Sequence, residues 1–223
     1  MPPDSLDQLC HDITHCRLCP RLVEWREQVA AEKRASYRDW DYWGRPIPGF
    51  GDPHARLLVL GLAPAAHGGN RTGRVFTGDR SGDWLYRALH KAGFANQPTS
   101  VSKDDGLTLS DAYVGAAVRC APPDNKPTPA ERDTCSPYLQ RELALLADVR
   151  VIVCLGGFAY DAIGRHLGLS KRPKFGHGVE VALDDGRVII GSYHPSQQNT
   201  FTGRLTEPMF DAVFSRAREV VGA

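Results

Sequence analysis

Apolar residues in this chain gather into short unbroken runs separated by stretches of helical period. The runs at 56–61 (Arg56-Leu-Leu-Val-Leu-Gly61), 112–119 and 150–155 are almost free of polar side chains. Unbroken runs of that length read as parallel strands covered on both faces, not as alternating, half-exposed ones. Two more strands are predicted at 178–183 and 187–193, flanking Asp184-Asp185-Gly186, a hairpin signal. Residues 5–14, 20–35, 83–93, 128–147, 157–168 and 205–221 read as helices. Strands alternating with helices predict an α/β fold, a three-layer α/β/α arrangement around a central, mainly parallel four-stranded sheet. At 223 residues, the chain 1–223 is expected to form one domain.

Between these elements lie two segments of a different kind. Residues 36–54 crowd aromatics with Gly and Pro, which predicts an ordered loop packed on the body or a binding rim. Residues 95–110 read as a surface excursion. The charge is nearly balanced, with 27 basic and 26 acidic residues and a net of +1. That is only weak evidence against a polyanionic partner, because basic residues can cluster on one face. No run of 18 apolar residues predicts a membrane span. The first residues, Met1-Pro-Pro-Asp-Ser-Leu-Asp7, lack the basic and apolar pattern of a leader, so a cytoplasmic protein is expected.

Disulfides are not expected in that compartment, and six cysteines need another account. Cys16-Arg-Leu-Cys19 is a C-x-x-C between two helices. Cys120 and Cys135 bracket Ala-Pro-Pro-Asp-Asn-Lys-Pro-Thr-Pro, a rigid turn leading into a helix. Thiolates at this spacing suit zinc or an iron–sulfur cluster, and spacing alone does not choose between them. Cys154 lies in a strand run and reads as packing, and Cys10 falls in mid-helix.

Two polar loops follow strands, where open α/β sheets bind ligands. The first, 61–82, is glycine-rich and carries His67, Arg71, Arg74, Phe76, Asp79 and Arg80. The second, 192–206, carries His194, Gln197, Gln198, Asn199, Phe201 and Arg204. Each candidate has a plain reading beside the chemical one. Phe76 is a core ring or a stacking face; Asp79 is a helix N-cap or a water-orienting carboxylate. His194 is a strand-end cap or a donor to a developing anion, and Asn125 is a turn residue or an aid to water or base.

Gly61-Leu-Ala-Pro-Ala, Gly73-Arg-Val-Phe-Thr-Gly-Asp79, Val118-Arg-Cys-Ala-Pro-Pro and His194-Pro-Ser, with the four cysteines, together resemble the uracil-DNA glycosylases that carry an iron–sulfur cluster. The Leu-Ala-Pro form and the acid at Asp79 resemble family 5, the broad-specificity branch. The likeness runs from about residue 10 to 221. Family 4 relatives carry an acid where this chain has Leu62 and an asparagine where it has Ala116. Both departures favour family 5 and put uracil-only recognition in doubt.

The resemblance implies a uracil-DNA glycosylase-like fold with a four-iron four-sulfur cluster on Cys16, Cys19, Cys120 and Cys135. It implies a monofunctional hydrolase that flips uracil, and bases such as hypoxanthine, xanthine or ethenocytosine, out of DNA and leaves an abasic site. A monomer acting on DNA that contains uracil or other deaminated bases is expected. On that footing Phe76 and His67 join the backbone N–H groups of Leu62 and Ala63 in holding the base. Asp79, His194 and Asn125 serve catalysis, and Arg71, Arg74, Arg80, Gln198, Asn199 and Arg204 meet the DNA. The competing reading is an iron–sulfur protein that binds damaged DNA without turnover; a pure binder needs neither Asp79 nor His194.

Overall fold

The computed structural model describes residues 4–222; the leader reading at the first three residues and the last residue of the expected domain lie outside them. Two helices, α1 (Leu6–Thr14) and α2 (Pro20–Glu32), precede a short strand β1 (Phe50–Gly51). Then come β2 (Leu57–Gly61), a one-turn α3 (Gly69–Thr72), α4 (Arg80–Lys91) and β3 (Ala112–Ala116). The second half runs α5 (Pro129–Leu145), β4 (Val151–Leu155), α6 (Gly157–His166), β5 (Glu180–Ala182), β6 (Val188–Ser192), α7 (Gln197–Phe201) and α8 (Glu207–Gly222).

The sheet order is β1-β3-β2-β4-β6-β5. The inner four strands are parallel, as the unbroken apolar runs predict, and β1 and β5 add antiparallel borders. The sheet therefore has six strands, four of them forming the parallel centre. At two residues, β1 is too short to leave a periodic signal. Side chains alternate between two cores. Leu57, Val59, Val114 and Val153 face α4 and α8, against Leu85, Leu89, Phe210 and Phe214. Leu58, Leu60, Ile152 and Cys154 face α5 and α6, against Leu139, Leu143, Tyr160 and Ile163. This is the three-layer arrangement, with Cys154 as core packing.

Helix boundaries follow their caps. Thr128 and Glu131 form a reciprocal capping box at the start of α5, with Pro129 in its first turn. The α4 helix begins at Arg80, three residues before the predicted start at 83, because the Asp79 side chain accepts the Gly82 N–H at 3.0 Å. The α2 helix stops at Glu32, short of residue 35, where Lys33 takes a φ of 54°.

Residues 95–110 run over the surface as predicted, but the excursion is ordered and tied to the body. Asp105 gathers the N–H groups of Val101, Ser102 and Leu107 and pairs with Arg74, while Leu107 and Leu109 enter the core. The aromatic segment 36–54 is likewise ordered on the body: Trp43 and Gly44 donate their N–H groups to the carbonyls of Arg71 and Asn70.

Candidate active site and cysteine centre

The loops after β2, β3 and β6 leave the carboxyl ends of parallel strands and enclose one cleft of about 530 Å³. Leu62, Ala63, Phe76, Asp79, Asn125 and His194 all line it, so six predicted residues from three distant stretches of sequence meet. Arg80 and Gln198 stand at the same cleft. Asp124, Ser81, Ala65 and Gln197 line it too; the first three were not singled out from the sequence, where nothing but adjacency to chosen residues marks them.

Asp79 combines two positions in one side chain. Oδ1 caps α4 through Gly82, and Oδ2 rests where a Cβ on Gly68 would stand, 1.9 Å away. Any side chain at 68 would push the carboxylate aside. Burial raises the Asp79 pKa above the ordinary carboxylate value, against the lowering effect of the Gly82 and Ser81 amides. His194 has the complementary shift: burial holds its pKa down at about 4, so the ring is neutral near pH 7. Its carbonyl is fixed by Asn199 Nδ2 at 2.8 Å.

Phe76 is both core and cleft wall. Its ring lies against Gly61, where a Cβ would stand 2.5 Å from Cζ, and 5.8 Å from the His194 ring at a 31° tilt. Its backbone is left-handed, with φ of 50°, a conformation that costs a bulky residue about 1–2 kcal/mol. The surroundings hold it there. The Phe76 carbonyl occupies the place of a Gly82 side chain, and the Tyr86 hydroxyl donates to the Val75 carbonyl at 2.9 Å. Among the described residues, no protein acceptor takes the N–H of Leu62 or Ala63.

Five predicted contacts lie elsewhere. The His67 ring pairs with the Tyr42 hydroxyl at 3.0 Å and does not line the cleft. Arg71 is 3% exposed, its guanidinium 3.9 Å and 4.1 Å from the Tyr37 and Trp40 ring centres, and it donates to the carbonyls of His67 and Gly78. Arg74 is 4% exposed and paired with Asp105, Ser100 and Thr77. Both arginines knit the 61–82 loop together and are not offered to a phosphate. The Asn199 side chain is spent on the His194 loop. Arg80 remains at the surface, stacked 4.5 Å over Phe201 and donating to Thr200 Oγ1 at 3.3 Å. Arg204 is exposed over the Tyr193 ring, outside the cleft lining.

Away from the cleft, Cys16, Cys19, Cys120 and Cys135 line a single small cavity walled by Leu18, Leu22, Val23 and Val118. The start of α2, the Cys120 loop and α5 bring them together. Two of the sulfurs have N–H donors: Arg26 Nη1 reaches Cys120 Sγ at 2.9 Å, and the Arg119 amide reaches Cys135 Sγ at 3.4 Å. Beside them Arg119 forms a two-pronged pair with Glu142 at 2.9 and 2.7 Å, both side chains at most 2% exposed. Among the described residues, no three His, Cys, Asp or Glu side chains converge closely enough to hold one bare metal ion. A cluster contributes its own irons and sulfides and so spans a wider cage than one ion with ligands at about 2.3 Å. Four thiols facing one apolar cavity, with no carboxylate among its lining residues, fit that donor set. No described helix is long and apolar enough to cross a membrane.

Residues 48–218 match the family model described as the uracil DNA glycosylase superfamily. The chain is 58% identical over 221 residues to the type-5 uracil-DNA glycosylase of Mycobacterium bovis, covering 98% of this chain and 82% of that protein. Against the type-5 uracil-DNA glycosylase of Thermus thermophilus it is 54% identical over 211 residues, 94% of this chain and 95% of that one. The type-4 uracil-DNA glycosylase of Archaeoglobus fulgidus is more distant, 29% identical over 199 residues, 86% of this chain and 82% of its own.

Proposed function

The chain belongs to the uracil-DNA glycosylase superfamily and within it to the type-5 enzymes, and from that premise we propose how its cleft excises a base and which bases it takes. The reaction is hydrolysis of the N-glycosidic bond in DNA. Flipping the base out of the stack costs a few kcal/mol, least at a mismatched or damaged pair. As the bond stretches, positive charge develops on the sugar and negative charge on the departing base.

The observation that carries the reading is the meeting of Asp79, His194, Phe76 and two unpaired amides in one cleft. The flipped base stacks on Phe76. The N–H groups of Leu62 and Ala63, with the neutral His194 ring as N–H donor, stabilise the charge growing on the base. Asp79 orients the attacking water. Its ionised form is poorly solvated at rest, and the cation developing on the sugar compensates it, so its stabilisation is greater in the transition state than in the ground state. One carboxylate suffices because the base leaves as a stabilised anion. Asn125, which lines the same cleft, holds water or the base edge.

Recognition here rests mainly on a ring face and backbone donors, which every base can use, and Leu62 and Ala116 stand where family 4 relatives carry polar groups. Breadth follows: hypoxanthine, xanthine and ethenocytosine are substrates beside uracil. Single-turnover excision from duplex oligonucleotides carrying each lesion opposite each normal base tests this. Cleavage of several lesions is expected; cleavage of uracil alone overturns the breadth.

Cys16, Cys19, Cys120 and Cys135 hold a four-iron four-sulfur cluster in this reading. When bound, it supplies a covalent brace that ties α2 to the loop carrying Asn125. Protein purified without oxygen is expected to be brown, with about four irons per chain; colourless protein holding one zinc rejects the cluster. The proposed enzyme is a cytoplasmic monomer, in keeping with its free thiols.

A further inference from the structure

Arg26 lies in α2, seven residues beyond Cys19, and is 2% exposed. A guanidinium does not lose its proton in a protein, so this is a full positive charge inside the fold. The other buried arginines have visible compensation. Arg119 has Glu142, Arg74 has Asp105, and Arg71 lies between two aromatic rings. Arg26 has no comparable carboxylate. Glu27 Oε1 is 3.9 Å away, and that carboxylate is partly exposed and already paired with Arg17.

What Arg26 does have is sulfur. Nη1 donates to Cys120 Sγ at 2.9 Å, and Nη2 donates to the Cys16 carbonyl at 3.1 Å. Nε is buried with no acceptor among the described residues. Such a buried charge is costly unless an anion or an aromatic face stands against it. The only anion that this cavity can supply is the thiolate-ligated centre itself, because four thiolates bring more negative charge than a cluster core cancels.

We propose that Arg26 is the built-in counter-charge of the cysteine centre, setting how firmly the centre holds its iron and at what potential it is reduced. The proposal rests on the cluster reading above. A fixed cation and an N–H···S bond favour the more negative, reduced form of a cluster and so raise its reduction potential. The same residue reaches toward the catalytic loop, since its carbonyl accepts Asn70 Nδ2 at 3.2 Å. A purely structural Arg26 would act through that link and through packing. It would change stability without moving a potential.

The experiment compares wild type with Arg26→Gln and Arg26→Lys, purified without oxygen. Iron and sulfide per chain, the half-life of the cluster absorbance under an iron chelator, and the midpoint potential against redox mediators are measured. Wild type comes first: absence of iron there rejects the cluster reading and leaves Arg26 without a role. With iron present, Arg26→Gln is expected to show a lower potential and several-fold faster loss of iron. Arg26→Lys keeps the charge but not the fork that reaches both Cys120 and Cys16, and is expected to move both quantities the same way by less. If Arg26→Gln does not fold, Arg26→Met, neutral and of similar reach, takes its place. A folded neutral variant with wild-type potential and wild-type iron retention overturns the proposal while the cluster reading stands.

Discussion

The base cleft and the cysteine corner are built from adjoining loops, yet they treat polar groups in opposite ways. In the corner, most buried polar groups find protein partners, Arg26 excepted: its charge faces sulfur, and its Nε, like that of Arg119, has no acceptor among the described residues. Arg119 meets Glu142, Glu131 serves both Arg21 and the α5 cap, and two sulfurs receive N–H donors. In the cleft, groups are left short. The His194 ring has no hydrogen-bond partner among the described residues, two amides have no protein acceptor, and burial works against charge on Asp79. Phe76, Asp124 and Asn125 also sit in left-handed backbone. In the proposed reading, the cleft holds back interactions that a flipped base and a charged sugar complete.

The sharpest way to break that contrast is Asp79→Asn. Asparagine caps a helix about as well as aspartate, so the Gly82 contact survives while the charge goes. Excision of uracil is expected to fall by about 10³-fold or more, which is roughly 4 kcal/mol. The sign for stability is the reverse. A carboxyl whose folded pKa lies above its unfolded one stabilises the fold only at low pH, and loses that contribution as pH rises through the folded value. Neutralising it is therefore expected to raise Tm at pH 7 by a few degrees. A variant with near-normal excision, or one with a clearly lower Tm, contradicts the picture of a charge kept for reaction.

The matching experiment in the corner is Glu142→Ala. It leaves Arg119 charged and buried, at a cost of about 3–5 kcal/mol, and it removes the carboxylate that both Gly49 and Gly115 approach. Tm should fall by roughly 10 °C. Among chains that remain folded, the excision rate should stay within a few-fold of wild type. Thermal unfolding and single-turnover rates on the same sample decide it, and a large rate loss in fully folded protein would merge the two regions into one.

His194→Ala is expected to slow excision by about 10²-fold, the usual cost of one donor to a developing anion, with little change in affinity for uncleaved DNA. The wild-type ring also marks the pH range of stability. Its folded pKa of about 4 lies below the unfolded 6.5, so folding favours the neutral ring. That contribution, on the order of 1–3 kcal/mol, is complete above pH 6.5 and drains away as pH falls toward 4. Urea titrations at pH 7 and pH 5 should show wild type losing more stability than the alanine variant. Equal losses would remove burial as the cause.

What could be read in the chain depended on whether the physics was local. Apolar runs predicted the parallel strands, because burial on both faces leaves a continuous signature in sequence. Loops after those strands pointed to the cleft, and its members Phe76, Asp79, Asn125 and His194 do converge. Arginines misled, because sequence shows a charge but not its partner. Arg71 is held by rings 34 and 31 residues away in the chain, and Arg74 by a carboxylate 31 residues on, separations that no motif records. His67 failed for the same reason, through Tyr42. Asp79 was readable as a cap or as a catalytic group. Only the placement of Gly68 shows that its two oxygens occupy different surroundings.

Arg80 gives the finest test of the contrast, because it stands where the two kinds of design meet. Its guanidinium stacks on Phe201 and reaches Thr200, so it could serve only to prop α7 against α4. It also lines the cleft beside Asp79, at the amino end of α4, where a phosphate would meet a cation and a helix N-terminus together. The two roles differ in their dependence on salt. Loss of one phosphate contact lowers the slope of log affinity against log salt by about 1. Loss of a prop weakens binding equally at every salt concentration. For Arg80→Ala, affinity for a uracil-containing duplex is expected to fall by only a few-fold at physiological salt, with the slope reduced by about 1. An unchanged slope would move Arg80 to the saturated, structural side of the molecule, together with Arg71 and Arg74.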